Sequence, residues 1–302
     1  MHAPSPAGGP PPWIDPAMQQ HLAWRDGDIV IAVPPKSGTT WTMNIVHQLL
    51  TGGDGEFADI YAEVPWIEFV TRPGMPVAEL QARLAAMPAD RPRAFKTHSA
   101  PPALPYVAPG AGPALRYLLV MRNPEEAMVS MWPFMGQHSD ALLDAWGVPR
   151  AAVSWPDFAS FYDTMGRSAL CGALFGFLAA WWPLRHASNV LCLHYNDMKR
   201  DHAGSLRRIA AFLNLAPGVD AWPRIEQYTS FEWMKRHSER FDGASAEIPP
   251  INPGGMVRNG VAGSAAADGM TLEIAAEMRA TGRELCPDQA ALAWFYSGGT
   301  LP

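Results

Sequence analysis

The residues best suited to chemistry lie in one short segment, residues 34–41 (PPKSGTTW), between an apolar β-branched run and a helical pattern. Such a junction directs backbone N–H groups and the positive end of a helix dipole toward one point. Lys36 adds a mobile positive charge, and Gly38 permits close approach of the backbone. Thr39 and Thr40 add hydroxyl donors in the first helical turn. The segment therefore predicts a site for an anionic group.

The pattern differs from that of a nucleoside-triphosphate loop, which reads GxxxxGK[ST]. Lys36 precedes Gly38 instead of following it, and the upstream glycine is missing. The next strong strand candidate ends in Arg122, where a Walker-B site would place a magnesium-binding Asp. ATP with magnesium is therefore disfavoured, and no metal site is expected.

The elements around these residues alternate between strand and helix patterns. Residues 29–33 (IVIAV), 115–121 and 189–194 predict strands, and residues 41–50 predict a helix after the first of them. At Asn123, a capping residue precedes Pro124 at the first helical position, so a second helix begins there. Strands alternating with helices indicate an α/β fold with a central, mostly parallel sheet flanked by helices.

The remaining patterns fit one domain. Residues 157–184 predict the crossover helices, and residues 206–215 (LRRIAAFLNL) an amphipathic helix. The Gly, Pro and Ala-rich residues 242–268 predict a long loop of the kind that often binds ligands. We expect residues 1–20 to form a flexible tail and residues 21–302 a single domain.

The charge and the cysteine content limit the partners and the compartment that we expect for the protein. The chain of 302 residues carries 23 Lys and Arg against 29 Asp and Glu, a net charge of −6, so it would repel a nucleic-acid backbone. Three cysteines without CxxC spacing, Cys171, Cys192 and Cys286, indicate a reducing compartment, and we expect the cytoplasm. The longest uncharged run is too short to span a membrane and contains Pro183.

Several further segments, taken with the first, make the chain similar to the cytosolic sulfotransferase family. Residues 35–41 match that family's PKSGTTW loop, and Arg122 and Ser130 match the ends of its RNxxxxxxS segment, eight positions apart. In the family's order along the chain, the other matching segments are KTH at 96–98, YNDM at 195–198, TSFE at 229–232 and RNG at 258–260. The resemblance implies a P-loop-like nucleotide-binding architecture and a sulfotransferase that uses 3′-phosphoadenosine 5′-phosphosulfate (PAPS).

Sulfuryl transfer requires a base, stabilisation of the leaving phosphate, and alignment of donor and acceptor. His98, neutral near pH 7, is the candidate base. Lys36 is the candidate for the bridging oxygen as the bond breaks, and the resemblance places Lys96 beside the reacting centre. We expect the loop, which also includes Ser37, to hold the 5′-phosphate with its amides and with Thr39 and Thr40.

The resemblance also assigns the rest of the nucleotide. It places the 3′-phosphate against Arg122, Ser130, and the segment Arg258, Asn259 and Gly260. It places the adenine against Trp41, Thr229 and Phe231, and a further nucleotide contact at Tyr195.

The resemblance also implies an apolar acceptor pocket that includes Trp66, Phe69, Trp132 and Phe134. Such a pocket favours a small hydrophobic or aromatic alcohol, a phenol or an amine. Asn259 stands where the family usually has Lys, and the family's GDWK continuation is replaced by residues 263–266 (GSAA). The first departure, at Asn259, removes a positive charge near the 3′-phosphate. The sequence leaves the oligomeric state open.

Two alternatives stay open at this point. A nucleotide-kinase-like phosphotransferase would use the same scaffold but would need a metal-binding carboxylate. A catalytically idle nucleotide-binding protein would share the phosphate loop without turnover.

Overall fold

The computed structural model describes residues 10–258, 260 and 263–302. Its centre is a sheet of four strands in the order β2-β1-β3-β4, with every neighbouring pair parallel. The strands are β1 Ile29–Ala32, β2 Ala94–Thr97, β3 Arg116–Met121 and β4 Val190–His194. The predicted α/β class with a parallel sheet is confirmed.

Helices accompany these strands throughout the described chain. The α-helices are α1 Thr39–Thr51, α2 Ile60–Glu63, α3 Val77–Ala85, α4 Pro124–Met135, α5 Asp140–Trp146, α6 Phe158–Phe161, α7 Cys171–Trp181, α8 Tyr195–Arg200, α9 His202–Leu213, α10 Trp222–Tyr228, α11 Phe231–Arg236, α12 Leu272–Leu285 and α13 Gln289–Ser297. A π-helical segment, Tyr162–Leu170, joins α6 to α7. Short 3-10 helices cover Pro16–His21, Arg150–Val153, Trp182–Leu184, Val219–Ala221 and Ser238–Arg240.

The two faces of the sheet pack into separate apolar cores, because successive strand side chains point in opposite directions. Val30 and Ala32 pack with α7, α12 and α13. Ile29 and Ile31 pack with α1 and α9 on the opposite face. With both faces covered, the polar groups of the sheet are accessible at the strand ends, where ligands bind in open α/β sheets.

The start of the described chain differs from the flexible tail expected over residues 1–20. Trp13 is 3% exposed and Met18 is 5% exposed, and Pro16–His21 is helical with Asp15 as its N-cap. The backbone N–H of Val70 donates to Trp13 O at 2.9 Å. Two large apolar side chains within a Pro-rich stretch anchor it to the core. Residues 1–9 lie outside the described residues, and the division into domains stays a prediction.

A buried ion pair lies at the end of the sheet where β1 and β2 begin. Arg93 donates from Nη2 to Asp28 Oδ2 at 2.5 Å and from Nε to Asp28 Oδ1 at 2.9 Å, with side chains 4% and 2% exposed. A third bond runs from Arg93 Nη2 to Ala23 O at 2.9 Å. Since Asp28 precedes β1 and Arg93 precedes β2, the pair fixes the register of two neighbouring strands.

In the part of the chain that the structure describes, no helix is both long enough and apolar enough to cross a membrane. The three cysteines are buried free thiols.

Candidate functional site

The loop between β1 and α1 has the backbone that an anion site requires. Lys36 and Gly38 adopt positive φ values of 60° and 94°. Gly38 is the N-cap of α1, and no side chain among the described residues caps that helix start. The first N–H groups of α1 are therefore available to a ligand. A Cβ on Gly38 would lie 2.8 Å from the Tyr195 ring, so glycine is required there on two counts.

Arg122 converges on the same loop. It follows β3, which neighbours β1 in the sheet, and its Nη1 donates to the carbonyl oxygen of Lys36 at 3.2 Å. Its guanidinium carbon lies 4.8 Å from the centre of the Tyr195 ring. Two basic groups separated by 86 positions along the chain thus meet at one edge of the sheet.

One cavity of about 1560 Å³ collects nearly all of the residues that the sequence predicts for the site. The predicted residues in its wall are Lys36, Gly38, Thr39, Thr40, Trp41, Trp66, Phe69, Lys96, His98, Arg122, Ser130, Trp132, Phe134, Tyr195, Thr229, Phe231, Arg258 and Gly260. Ser37 is fully buried and is not part of the described lining. Asn259 lies outside the described residues.

One end of this cavity has flat aromatic walls. Trp41 donates from Nε1 to Thr229 O at 2.8 Å, and its ring meets the Tyr195 ring almost edge-on, 5.5 Å between centres. Phe231 is 40% exposed and packs against Gly260, whose φ of 63° and lack of a Cβ allow the contact. Exposed aromatic faces near a phosphate loop suit the base of a nucleotide.

The other end carries the candidate base. His98 Nδ1 lies 2.6 Å from Val33 O. Because a carbonyl oxygen only accepts, Nδ1 carries the proton, and the lone pair resides on Nε2. The Trp66 ring meets the His98 ring edge-on, 5.0 Å between centres, and holds it in place.

Two lysines approach this end over aromatic rings. Lys96 Nζ lies 3.3 Å from the centre of the Trp66 ring, and Lys36 Nζ lies 3.7 Å from that of Phe134. Both contacts are cation–π interactions. They leave the ammonium groups with little solvent around them.

Burial dominates the ionisation of all three groups. Together with the charges of Arg258 and Arg122, it lowers the pKa of Lys36 to about 7. It lowers the pKa of Lys96 to about 7, although Glu68 acts in the opposite direction. It also lowers the pKa of His98 well below 6.5, with a smaller contribution from Lys96, so the imidazole is neutral at pH 7.

Sequence reasoning assigned no individual role to three ionisable side chains in the wall of this cavity. Glu126 Oε2 accepts from Arg122 Nη2 at 2.9 Å, and its Oε1 accepts from the backbone N–H of Gly263. The i, i+4 spacing after Arg122 was a readable signal for this pair. His202 Nε2 lies 3.0 Å from Thr229 Oγ1, and no pattern in the sequence pointed to it. Glu68 is the third, in the segment that also carries Trp66.

Residues 26–288 match the family described as "Sulfotransferase domain". The chain belongs to the sulfotransferase family. It is 30% identical over 253 residues to rat sulfotransferase 1A1, covering 82% of this chain and 80% of the relative. It is 31% identical over 226 residues to human sulfotransferase 1C2, covering 72% and 69%.

Solved structures share the fold. A mouse sulfotransferase, SULT7A1, solved in complex with PAP, has a TM-score of 0.70 at 20% identity, covering 92% of this chain and 90% of that one. A retinol dehydratase complexed with androsterone and PAP has a TM-score of 0.65 at 20% identity, covering 89% and 83%. The predicted family, enzyme class and P-loop-like architecture are confirmed. Among the described residues, no group of three or more His, Cys, Asp or Glu side chains is arranged to hold a metal ion.

Proposed function

We propose that this sulfotransferase moves a sulfuryl group from PAPS to a hydroxyl or amine of a small hydrophobic or aromatic acceptor, with His98 as the general base. One observation carries the proposal. A single cavity contains both the start of α1, with Lys36 and Arg122 beside it, and His98. The Nδ1 of His98 carries the proton, so its Nε2 can accept one.

The donor end of the cavity fits a nucleotide with two phosphate groups. The uncapped N–H groups of α1 suit the 5′-phosphate, and the nearby guanidinium of Arg122 suits a second anion. Arg258 supplies a further positive charge to the same cavity. The complexes of SULT7A1 and retinol dehydratase with PAP support this choice, because PAP is what PAPS becomes after transfer.

The proposed transfer step moves one proton, forms one bond to sulfur and breaks another. The acceptor O–H or N–H gives its proton to His98 Nε2 while its heavy atom forms a bond to sulfur. The bond from sulfur to the bridging oxygen of the 5′-phosphate breaks, and its electron pair stays on that oxygen. Lys36 and Lys96, as ammonium groups, stabilise the charge that develops there.

The acceptor end is mostly aromatic. The Trp66 and Phe69 rings stack with 5.5 Å between centres and an angle of 11°. Trp132 and Phe134 line the same cavity. These walls favour a flat or apolar acceptor over a sugar.

The test is a transfer assay without metal. The purified protein is incubated with PAPS and a panel of phenols, alcohols and amines, and release of PAP is measured. We expect turnover with aromatic acceptors. ATP turnover that depends on magnesium would instead support the kinase-like alternative, and PAP binding without turnover of any acceptor would support an idle nucleotide-binding protein.

We also propose that the protein acts in the cytoplasm on a small molecule, and neither on nucleic acid nor at a membrane. Three reduced, buried thiols suit a reducing compartment, and a net charge of −6 disfavours nucleic acid. Fractionation of cells that express the chain tests the location.

A further inference from the structure

Glu68 is a buried carboxylate in the cavity wall, with a side chain next to the reacting end of the site. The residue is 2% exposed. Its segment runs alongside β2: the N–H of Lys96 donates to Pro65 O at 2.9 Å, and the N–H of Ile67 donates to Lys96 O at 3.0 Å. Those bonds fix the segment of Glu68 against the end of β2, which includes Lys96 and is followed by His98.

One oxygen of Glu68 holds the residues on both sides of His98. Oε1 accepts from Ser99 Oγ at 2.7 Å and from the hydroxyl of Thr97. Gln19 Nε2 donates to the same oxygen at 3.0 Å. Since Thr97 and Ser99 precede and follow His98, the carboxylate fixes the backbone that presents the imidazole.

The hydroxyl protons have a defined direction in this network. Ser99 Oγ accepts from Gln19 Nε2 at 2.6 Å, and Thr97 Oγ1 accepts from the backbone N–H of Ser99 at 2.9 Å. Both hydroxyls therefore donate to Glu68, which is the arrangement that an ionised carboxylate requires.

The second oxygen of Glu68, Oε2, is buried and has no hydrogen-bond partner among the described residues. The surroundings raise the pKa of Glu68 above its usual value, chiefly through burial, and the bonds from Thr97 and Ser99 and the positive charge of Lys96 oppose that rise. Lys96 in turn is stabilised in its charged form by Glu68.

Burial is the main factor that disfavours the charged form of Lys96, and Lys36 on the phosphate loop adds to it. The Trp66 ring, 3.3 Å from Lys96 Nζ, favours the charged form. The groups that face Lys96 from the packed segments are Lys36, Tyr61, Trp66, Glu68 and His98. Glu68 supplies the negative charge in this set.

We propose that Glu68 is a positioning residue for the transfer reaction: it fixes the residues on either side of His98 and keeps Lys96 protonated. This inference rests on the proposed function, because it assumes that transfer needs a neutral His98 and a charged Lys96. Under this proposal, the transfer reaction requires a carboxylate that contacts neither the donor nor the acceptor.

The first test separates the charge from the shape. Glu68→Gln retains a carbonyl oxygen for the three donors but removes the charge. We expect the alkaline limb of the kcat/KM profile for the acceptor to move about one pH unit lower, because loss of a nearby opposite charge lowers the pKa of Lys96. The KM for PAPS below pH 7 should change less than about twofold, since the nucleotide contacts are intact.

A second readout does not depend on turnover. Lysines carrying ¹³C-methyl groups are titrated by NMR in the donor-free protein, with Lys96 assigned through Lys96→Arg. The Lys96 signal should titrate about one pH unit lower in Glu68→Gln than in the parent. An unchanged titration would overturn the charge role of Glu68. Absence of transfer in the parent protein would instead refute the proposed function, and the NMR comparison would still decide this one.

Two further variants complete the design. Ser99→Ala removes one of the bonds beside His98 and leaves the charge, so kcat should fall about tenfold with no movement of the alkaline limb. Glu63→Gln is the matched control: Glu63 is partly exposed and pairs with Arg91 at 3.1 Å, away from the cavity, so its profile should match the parent. A Ser99→Ala enzyme with parental kcat would overturn the positioning role.

Discussion

At the residue scale, the hydrogen bond from His98 Nδ1 to Val33 O determines what the imidazole can do. It fixes the tautomer and leaves Nε2 to accept a proton. His98→Ala should therefore lower kcat by about 10²–10⁴-fold, the usual contribution of a general base. PAP affinity, measured by titration calorimetry, should stay within about twofold, because the nucleotide contacts lie on other residues. Normal transfer by the variant would refute the assigned role.

Arg122 has the opposite expected effect. Arg122→Ala removes a guanidinium from the donor end and leaves Glu126, which is 6% exposed, without its 2.9 Å partner. A charged hydrogen bond contributes about 1.5–3 kcal/mol, so PAP should bind about 10–100-fold more weakly. Arg122→Lys keeps the charge and should recover part of the affinity. Equal affinity in the parent and Arg122→Ala, measured by calorimetry, would contradict the assignment.

Lys36 makes donor binding depend on pH. Burial lowers its pKa to about 7, and a bound phosphate would raise the pKa again, so binding takes up a proton above pH 7. The Kd for PAP should be nearly constant below about pH 7 and should rise up to about tenfold for each pH unit above it. In Lys36→Met, binding should be weaker and should lose this dependence. The check is calorimetry from pH 6 to 9.

At the element scale, the sequence predicted the elements that neighbouring residues mark better than those that depend on contacts between distant segments. Asn123 and Pro124 predict a helix start, and α4 begins at Pro124, with Asn123 Oδ1 accepting from the N–H of Glu125 at 2.9 Å. The site residues predicted after β1 and β3 rest on the same kind of signal. In contrast, β2 (AFKT) lacks the apolar β-branched run that marks β1 (IVIA), although both strands have four residues.

Contacts between distant segments were not readable from one sequence. Glu68 and its partner Gln19 are 49 positions apart, and neither residue type signals a buried bond. Trp13 lies in a Pro and Gly-rich stretch whose composition indicates flexibility, although the side chain packs in the core. These positions are decided by tertiary packing, which a local pattern does not contain.

The phosphate loop yields a prediction at this scale. Gly38→Ala places a Cβ 2.8 Å from the Tyr195 ring at a φ of 94°. We expect a loss of about 1–3 kcal/mol in the free energy of unfolding and a marked loss of PAP affinity. Denaturant unfolding and calorimetry measure the two effects.

Gly52 supplies the control for that variant. It ends α1 at a φ of 69°, and a Cβ there would meet nothing within 4 Å. Gly52→Ala should cost about 1 kcal/mol and leave PAP affinity unchanged. If both variants bound PAP as the parent does, the loop would not be the phosphate site.

At the scale of the whole molecule, a net charge of −6 contrasts with the basic groups collected at one sheet edge. An anionic donor is therefore attracted locally by a protein that repels it overall. Added salt screens both effects over about 8–10 Å, so donor binding should be governed by the groups that touch the donor.

The buried pair of Arg93 and Asp28 tests how the sheet is held together. Arg93→Met leaves the Asp28 carboxylate, 2% exposed at its side chain, without a counter-charge. Breaking such a pair costs about 3–5 kcal/mol of unfolding free energy. The exposed pair of Arg72 and Glu79 is the control, and Arg72→Met should cost less than about 1 kcal/mol. Similar costs for the two variants in denaturant unfolding would contradict this account.

The two ends of the cavity are made of different material. The donor end includes main-chain N–H groups at the start of α1, whereas Phe69 and Trp132 line the proposed acceptor end with their side chains. Side chains can be exchanged without rebuilding a backbone. Under the proposed function, a library confined to Phe69 and Trp132 leaves Trp66 and its contacts with His98 and Lys96 in place, and should turn one catalyst into a set of selective sulfating reagents.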